Sequence, residues 1–384
     1  MGNDTPVGAL IRSVVLIMAG FGSGIVALPA CAVQYYTATP LGTLGGIRSE
    51  GFGINDSGEV TGVYVTSAGI TRGFLYSRGV MRDLGTLGGD TSSGHGINTV
   101  GQVTGTSFTV GNGALHAFVY SGGAMTDLGT LGGPNSFGEG INASGQVTGY
   151  SHTTQSLSQH AFLYSNGTMT DLGTLGGTNS YGYGINANGQ VTGASEVSPS
   201  LGGLPHAFLY TAGTMIDIHP LGVPGSVGTA INASGQVTGY LLMPRPEEQA
   251  FLYSAGSAIS LGTLGGPNSV GRGISGGGQV VGASSEVTGR VRAFLYSEGK
   301  MINLNALVLS GLNGATLEDA RGINDGGQIV ALGCVMTDCQ AYRLDPVAGP
   351  LALSPIPTLS REALGAVALL VLASGLLFRR LRIR

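Results

Sequence analysis

The sequence predicts an all-β protein, a seven-bladed β-propeller closed by an N-terminal strand, with an N-terminal signal peptide and a single C-terminal transmembrane helix. Three short sequence blocks recur seven times each, in a fixed order and about 44 residues apart. Glycine accounts for 70 of the 384 residues, which suits short strands joined by tight turns. Apolar runs stand near both ends, outside the repeats.

Residues 1–32 are predicted to be a signal peptide. Arg12 precedes the apolar run 14–28, and Ala30-Cys31-Ala32 supplies small residues for cleavage after Ala32. A lipoprotein signal with Cys31 lipidated and an uncleaved anchor are the alternatives. Each of these signals predicts export.

The composition excludes several classes. Hydrophobic residues make up 42 % of the chain, too many for a disordered protein. Charged residues make up 10 % and the net charge is −4, so the chain lacks the basic face expected of a nucleic-acid-binding protein. No nucleic-acid partner is therefore expected.

Each repeat divides into four short strands. The block Ile-Asn-x-x-Gly-Gln-Val-Thr-Gly, or a variant, starts at Ile54, Ile97, Ile141, Ile185, Ile231, Ile274 and Ile323. In the third copy the predicted strands are 138–142, 146–151, 160–165 and 168–172. Four strands in 40 to 45 residues are typical of a propeller blade.

The order of the blocks predicts how the propeller closes. The first Leu-Gly-Thr-Leu-Gly-Gly block, at Leu41, has no preceding strand blocks, and the last Ala-Tyr block, at Tyr342, has no following one. Residues 35–41 should therefore complete the blade formed by residues 322–344, which leaves no open edge. The predicted propeller domain is 33–346. Glycines in the second strands, such as Gly149, are expected to admit the backbone of an adjacent blade.

The repeats over residues 41–345 resemble the bacterial HAF-repeat family. The naming triplet occurs at His116-Ala117-Phe118, His160-Ala161-Phe162 and His206-Ala207-Phe208. The resemblance implies an extracellular protein and no assigned enzymatic chemistry. On separate blades the three histidines cannot share one zinc ion, and we expect each to make a structural contact at the start of a third strand.

The C-terminal region predicts a membrane anchor. A linker, 347–362, precedes an apolar helix at 363–378 and a basic tail at 379–384, which should remain in the cytoplasm. The linker contains Ile356, Pro357, Thr358 and Leu359, and motif, helix and tail together resemble the IPTL-CTERM sorting signals of Gram-negative bacteria. The resemblance implies an exosortase-like sorting protease as partner. The expected location is the cell envelope or beyond, anchored in the inner membrane at least before sorting.

Cys334 and Cys339 are a disulfide candidate in an oxidising compartment.

Little in the sequence predicts catalysis. No nucleophile elbow or zinc-binding spacing occurs, so no catalytic residue, metal site or cofactor is predicted.

One position varies between otherwise regular repeats. In the pattern Gly-x-Gly-Ile-Asn, x is predicted to begin the innermost strand, and the seven residues should ring one mouth of the channel as a ligand site. They are Phe52, His95, Glu139, Tyr183, Thr229, Arg272 and Arg321. The loops between second and third strands vary in length and should open on the same face.

The sequence thus predicts an exported, envelope-associated binding module for an extracellular polysaccharide or a surface protein. One alternative is a polysaccharide hydrolase or lyase, which would need two converging carboxylates, such as Glu139 and a loop acid. The other is a purely structural surface protein without a pocket.

Overall fold

The computed structural model describes residues 34–154, 158–198, 203–220, 222–243 and 247–349. Across these residues, 29 strands form seven sheets, the blades of a β-propeller, with two short 3-10 turns at Val110–Asn112 and Leu304–Ala306. The predicted seven-bladed all-β fold is confirmed. The predicted signal peptide, sorting motif and C-terminal helix lie outside the described residues. Within the described ranges, no helix has the length and apolar character needed to cross a membrane.

Blades one to three each contain four strands in chain order. They are β2 (Arg48–Ile54), β3 (Val60–Val65), β4 (Thr71–Ser77) and β5 (Val80–Asp83); β6 (Gly88–Ile97), β7 (Val103–Thr109), β8 (Leu115–Ser121) and β9 (Ala124–Asp127); β10 (Gly132–Ile141), β11 (Val147–Thr153), β12 (Gln159–Ser165) and β13 (Thr168–Asp171).

Blades four to six repeat this order, and blade seven has five strands. They are β14 (Gly176–Ile185), β15 (Val191–Val197), β16 (Pro205–Thr211) and β17 (Thr214–Asp217); β18 (Gly225–Ile231), β19 (Val237–Leu242), β20 (Glu248–Ser254) and β21 (Ser257–Gly262); β22 (Gly265–Ile274), β23 (Val280–Glu286), β24 (Val291–Ser297) and β25 (Lys300–Asn303); and β27 (Thr316–Ile323), β28 (Ile329–Val335), β29 (Asp338–Val347), β1 (Tyr35–Pro40) and β26 (Val308–Ser310).

The hydrophobic core lies between neighbouring blades. In one cluster Ala117 and Leu128 of blade two pack against Ile141, Val147 and Phe162 of blade three. Phe162 is fully buried, as are its equivalents in the other repeats of blades one to six. Since each blade buries its apolar face against the next, the repeats stabilise one another only within the assembled ring.

The N-terminal strand closes the ring as the repeat order predicts. β1 pairs antiparallel with β29, and Tyr35 is the register partner of Val347. β26 adds a fifth strand, parallel to β1. The sequence blocks do not reveal β26, because it lies in the irregular segment between blades six and seven. Residues 34–347 form one compact unit.

The first strand of a blade is longer than predicted. β10 begins at Gly132, six residues before the predicted start, because Gly132 pairs with Thr153 on the neighbouring strand. A register shift between Gly138 and Gly140 then bends the strand near its end. The contacts between first strands of successive blades run around the ring, so these strands line the central channel.

The glycines of the second strands have a different role from the predicted one. A Cβ on Gly149 would collide with the carbonyl oxygen of Phe137, which belongs to the same blade. The bend after Gly138 brings that carbonyl over β11. The close approach between blades is made instead by Gly138 in the first strand, where a Cβ would meet the Thr104 side chain of blade two.

Asparagine side chains join successive blades at the turn between the first and second strands. Asn142 Nδ2 donates to the carbonyl oxygen of Asn186 in the next blade at 3.0 Å. The same contact is made by Asn55, Asn98, Asn186, Asn232 and Asn324, and Asn324 reaches Asn55 to complete the circle. We call these six residues the asparagine ring. Ser275 interrupts the ring, and there Gly276 N donates to Asp325 Oδ1 at 2.6 Å.

Two further sequence predictions concern individual side chains. Cys334 and Cys339 are register partners in the β28–β29 hairpin and form a disulfide, which confirms their pairing. The three histidines of the repeated triplet each contact an aspartate of the fourth strand in their own blade, as in His116 Nδ1 to Asp127 at 2.7 Å. Asp127 also accepts from Gly129 N, so this contact fixes the turn that leads to the next blade.

Candidate ligand site in the central channel

The seven variable residues of the Gly-x-Gly-Ile-Asn pattern converge on one cavity. This channel cavity has a volume of about 420 Å³. It is lined by Phe52, His95, Glu139, Tyr183, Thr229, Arg272 and Arg321, together with Val227 and Tyr240. The sequence pattern therefore identifies seven of the nine lining residues.

The predicted position of these residues in their strands is wrong. His95 lies near the end of β6, two residues before Ile97, rather than at its beginning. The longer first strand causes the difference. Val227 and Tyr240 lie further from the asparagine ring than Thr229 does, so the cavity extends toward the loops between second and third strands. We call the surface with these loops the loop face and the surface with the asparagine turns the turn face.

A smaller cavity of about 270 Å³ lies on the turn face. It is lined by the isoleucines that precede the asparagines and by the asparagine turns themselves. The amides at its edge are already used in the asparagine ring. The asparagine amides of this cavity are therefore not free to bind a ligand.

Aromatic residues of blades three to five form one wall of the channel. The Tyr181 and Tyr183 rings are nearly parallel, with centroids 6.3 Å apart, and Tyr150 meets Tyr181 edge-on at 5.1 Å. Phe137 stacks on Tyr150 at 4.6 Å. With Tyr240 of the neighbouring blade, these residues make up the aromatic wall.

Charged residues of blades six, seven and one form the opposite wall. Arg321 Nε lies 3.0 Å from Asp319 Oδ2, and Arg321 Nη2 lies 3.3 Å from Glu50. The Arg321 guanidinium also stands 4.8 Å from the Phe52 ring centroid, a cation–π distance. Arg272 Nε is 3.6 Å from Asp319 Oδ1. We call these four charged residues the ionic wall.

His95 and Glu139 connect the two walls. His95 Nδ1 lies 3.1 Å from Glu139 Oε2 and 3.1 Å from the carbonyl oxygen of Gly138. Burial alone would lower the pKa of His95, but the Glu139 carboxylate and the two hydrogen bonds raise it above its ordinary value. The pair thus favours an imidazolium facing a carboxylate.

Several polar groups of the channel cavity have no hydrogen-bond partner among the described residues. They are both Nη atoms of Arg272 and the hydroxyls of Tyr183 and Tyr240, and the Arg272 side chain is 42 % exposed. Burial, with Glu139, raises the pKa of Tyr183, and burial, with Glu248, raises that of Tyr240. Both hydroxyls therefore remain protonated and able to donate. The Thr229 hydroxyl, by contrast, donates within the protein to the carbonyl oxygen of Gly271 at 2.8 Å.

Sequence reasoning missed the deeper part of both walls. Glu50, Phe137, Tyr181 and Val227 each stand two residues before a variable position, where strand alternation turns side chains to the same face. This spacing of two residues could have identified these positions from the sequence. Tyr150 and Tyr240 lie on second strands and join the site through register pairing with Phe137 and Val227, which the blocks alone do not give.

Two solved structures that are similar to this chain support the fold. No family model matches the chain, and no curated protein matches it by sequence. A puromycin-hydrolyzing peptidase of Mycobacterium tuberculosis is 12 % identical with a TM-score of 0.53, covering 85 % of this chain and 57 % of that chain. A structure from a study of two prolyl endopeptidases is 11 % identical with a TM-score of 0.53, covering 82 % and 50 %. TolB from Acinetobacter baumannii is 12 % identical with a TM-score of 0.46, covering 63 % and 62 %.

These matches concern architecture. The chain spans only about half to three fifths of the length of those three proteins. At such low identity a shared fold carries no information about activity. The chain is a seven-bladed β-propeller.

Proposed function

We propose that this protein is an exported binding module of the cell envelope, and that its ligand, an extracellular polysaccharide, enters the channel cavity from the loop face. The observation that carries the proposal is the convergence of seven variable side chains on one cavity. The turns and core positions around them are nearly identical from repeat to repeat. Variation at one locus on a regular scaffold is what a binding site requires.

The size and the lining of the cavity favour a sugar. A volume of about 420 Å³ lies within the range of small-molecule sites, which is roughly 300–1,000 Å³. Aromatic faces can cover the apolar side of a pyranose ring, while unpaired donors bind its oxygens. The aromatic wall and the free groups of Arg272, Tyr183 and Tyr240 supply both features.

The alternatives find less support. A purely structural repeat protein would need no cavity with unpaired donors. A hydrolase would need a second free acid beside Glu139, whereas Glu50 and Asp319 of the ionic wall are both paired with Arg321. A surface protein as ligand would use the loop face, and the test below includes it.

Export and anchoring remain part of the proposal. The signal peptide rests on the pattern of residues 1–32, and the sorting motif and the exosortase-like partner rest on the C-terminal resemblance. The Cys334–Cys339 disulfide supports an oxidising compartment. Cell fractionation of a tagged chain, with and without residues 350–384, tests this part directly, since anchoring through the C-terminal helix requires the deletion to release the protein from the membrane fraction.

The binding test uses the detergent-solubilised full chain on a glycan array and on exopolysaccharide of the host. Saturable binding that Tyr183→Ala weakens at least tenfold, with an unchanged melting temperature, supports the proposal. Arg82→Gln, an exposed outer-strand substitution, is the control and should leave affinity unchanged. Binding that is insensitive to Tyr183→Ala refutes the site. Crosslinking on intact cells that captures a protein in place of a glycan refutes the polysaccharide assignment.

A further inference from the structure

The free groups of the channel cavity differ in charge. Arg321 forms ion pairs with Asp319 and Glu50, and Glu139 forms one with His95. Arg272 touches the ionic wall only through Nε, at 3.6 Å. It is therefore the cation of the cavity whose terminal nitrogens remain available among the described residues.

A guanidinium with both Nη atoms free binds a carboxylate through two parallel hydrogen bonds. Its exposed fraction of 42 % leaves room for such a group on the cavity side. Asp319 contacts Arg272 only through Nε, so a neutral ligand would leave both Nη groups without an anionic partner. The free end of the Arg272 guanidinium thus favours an anionic group on the ligand.

The two tyrosines that line the cavity with Arg272 indicate what should lie beside that anion. Tyr183, Tyr240 and Arg272 belong to successive blades four, five and six, and each lines the cavity. The two tyrosine hydroxyls are protonated donors, because burial and nearby carboxylates raise their pKa. A carboxylated sugar fits this arrangement, because its carboxylate can bind the cation while its ring packs against the tyrosines and its oxygens accept from the tyrosine hydroxyls.

We infer that the ligand is an acidic polysaccharide, and that a uronic acid residue binds with its carboxylate on Arg272 and its ring against Tyr183 and Tyr240. This inference rests on the proposed function and narrows it from polysaccharides in general to those with carboxylated sugars. It also assigns Arg272 as the residue that determines specificity.

The test is isothermal titration calorimetry of the full chain with two tetrasaccharides of equal length, an oligogalacturonate and a neutral galactan. We expect the uronide to bind more tightly, and its affinity to fall as salt rises from 50 to 500 mM because charge-assisted contacts are screened. Arg272→Gln should weaken uronide binding about ten- to a hundredfold. Arg272→Lys should recover part of the loss, and Arg82→Gln should have no effect.

The outcomes separate this inference from the proposed function. If the galactan binds as tightly as the uronide and Arg272→Gln changes neither, the acidic-sugar inference fails while polysaccharide binding stands. If neither sugar nor any arrayed glycan binds, both fail. A peptide with a free C-terminal carboxylate that binds in an Arg272-dependent manner, in the absence of sugar binding, would reassign the anion site to a protein ligand.

Discussion

The asparagine ring makes a quantitative prediction, because the chain contains its own natural exception at Ser275. We consider Asn142→Ser, which gives blade three the residue of blade six. Asn142 is 4 % exposed. Its Nδ2 donates to Asn186 O at 3.0 Å and to Gln146 Oε1 at 2.8 Å. Its Oδ1 accepts from the backbone N of Ser144 and Gln146 at 3.1 and 3.0 Å.

A serine retains only one of these four bonds, as Ser275 does with Gln279 N at 3.2 Å. Three buried bonds at a net value of about 1 kcal/mol each predict a loss of about 3 kcal/mol in the free energy of unfolding. For a domain of this size that corresponds to a decrease of about 5 °C in Tm. Urea denaturation and calorimetry of the full chain measure both quantities.

The matched control is Asn188→Ser in the adjacent repeat. Asn188 lies in the same kind of turn, but its side chain is exposed and donates one long bond, 3.3 Å to Ala233 O. We expect a change below about 0.5 kcal/mol. Equal stabilities of Asn142→Ser and Asn188→Ser would refute the claim that the asparagine ring holds neighbouring blades together.

Four further predictions follow from single features. Ser275→Asn should complete the ring and raise the unfolding free energy by about 1 kcal/mol, and an unchanged urea midpoint would contradict it. Cys334→Ser should cost about 2 kcal/mol at most, since the Cys334–Cys339 disulfide closes a short loop, and a larger loss in calorimetry would mean that it does more than constrain the hairpin. Deletion of residues 33–40 should expose the edge of β29 and cause association on size-exclusion chromatography, whereas a stable monomer would show that closure is dispensable. The pKa of His95 is higher in the folded protein than in the unfolded chain, where it is near 6.5. Protonated His95 therefore stabilises the fold fully below about pH 6.5, and this stabilisation is lost as pH rises through the folded pKa. His95→Gln should therefore remove part of the stability at pH 5 and little at pH 9, and a constant difference would argue against the ion pair with Glu139.

Much of the fold could be read from the sequence because each repeat carries the same local signals. Turn residues such as Asn142 and Gly145 mark where a strand ends, and buried Phe162 marks a core strand. The repeat order even places β1 in blade seven. The extent of β10 could not be read in the same way, because Gly132 and Gly133 have low strand propensity and only the pairing of Gly132 with Thr153 extends the strand to its start.

The sequence predicts which side chains line the cavity but not the contacts that they make with residues of other blades. Variation at a fixed position identifies Tyr183 and Arg272 without knowledge of the fold. The ion pairs of the ionic wall form between blades. Arg321 and Glu50, for example, are far apart in sequence and become neighbours only after ring closure. The role of Asn142 was hidden for the same reason, since its partner Asn186 is a neighbour only across a blade boundary.

The pairing of β1 with β29 also determines how the propeller responds to a pull on its C-terminus. β29 lies between β28 and β1, with ladder hydrogen bonds on both sides. A force that is applied beyond Val347 and directed along β29 loads both ladders in shear, perpendicular to their hydrogen bonds. Many bonds must then break together before the chain can be drawn out, whereas an edge strand peeled from one side would release them one at a time. The first and last strands together thus give the propeller a mechanically strong point of attachment.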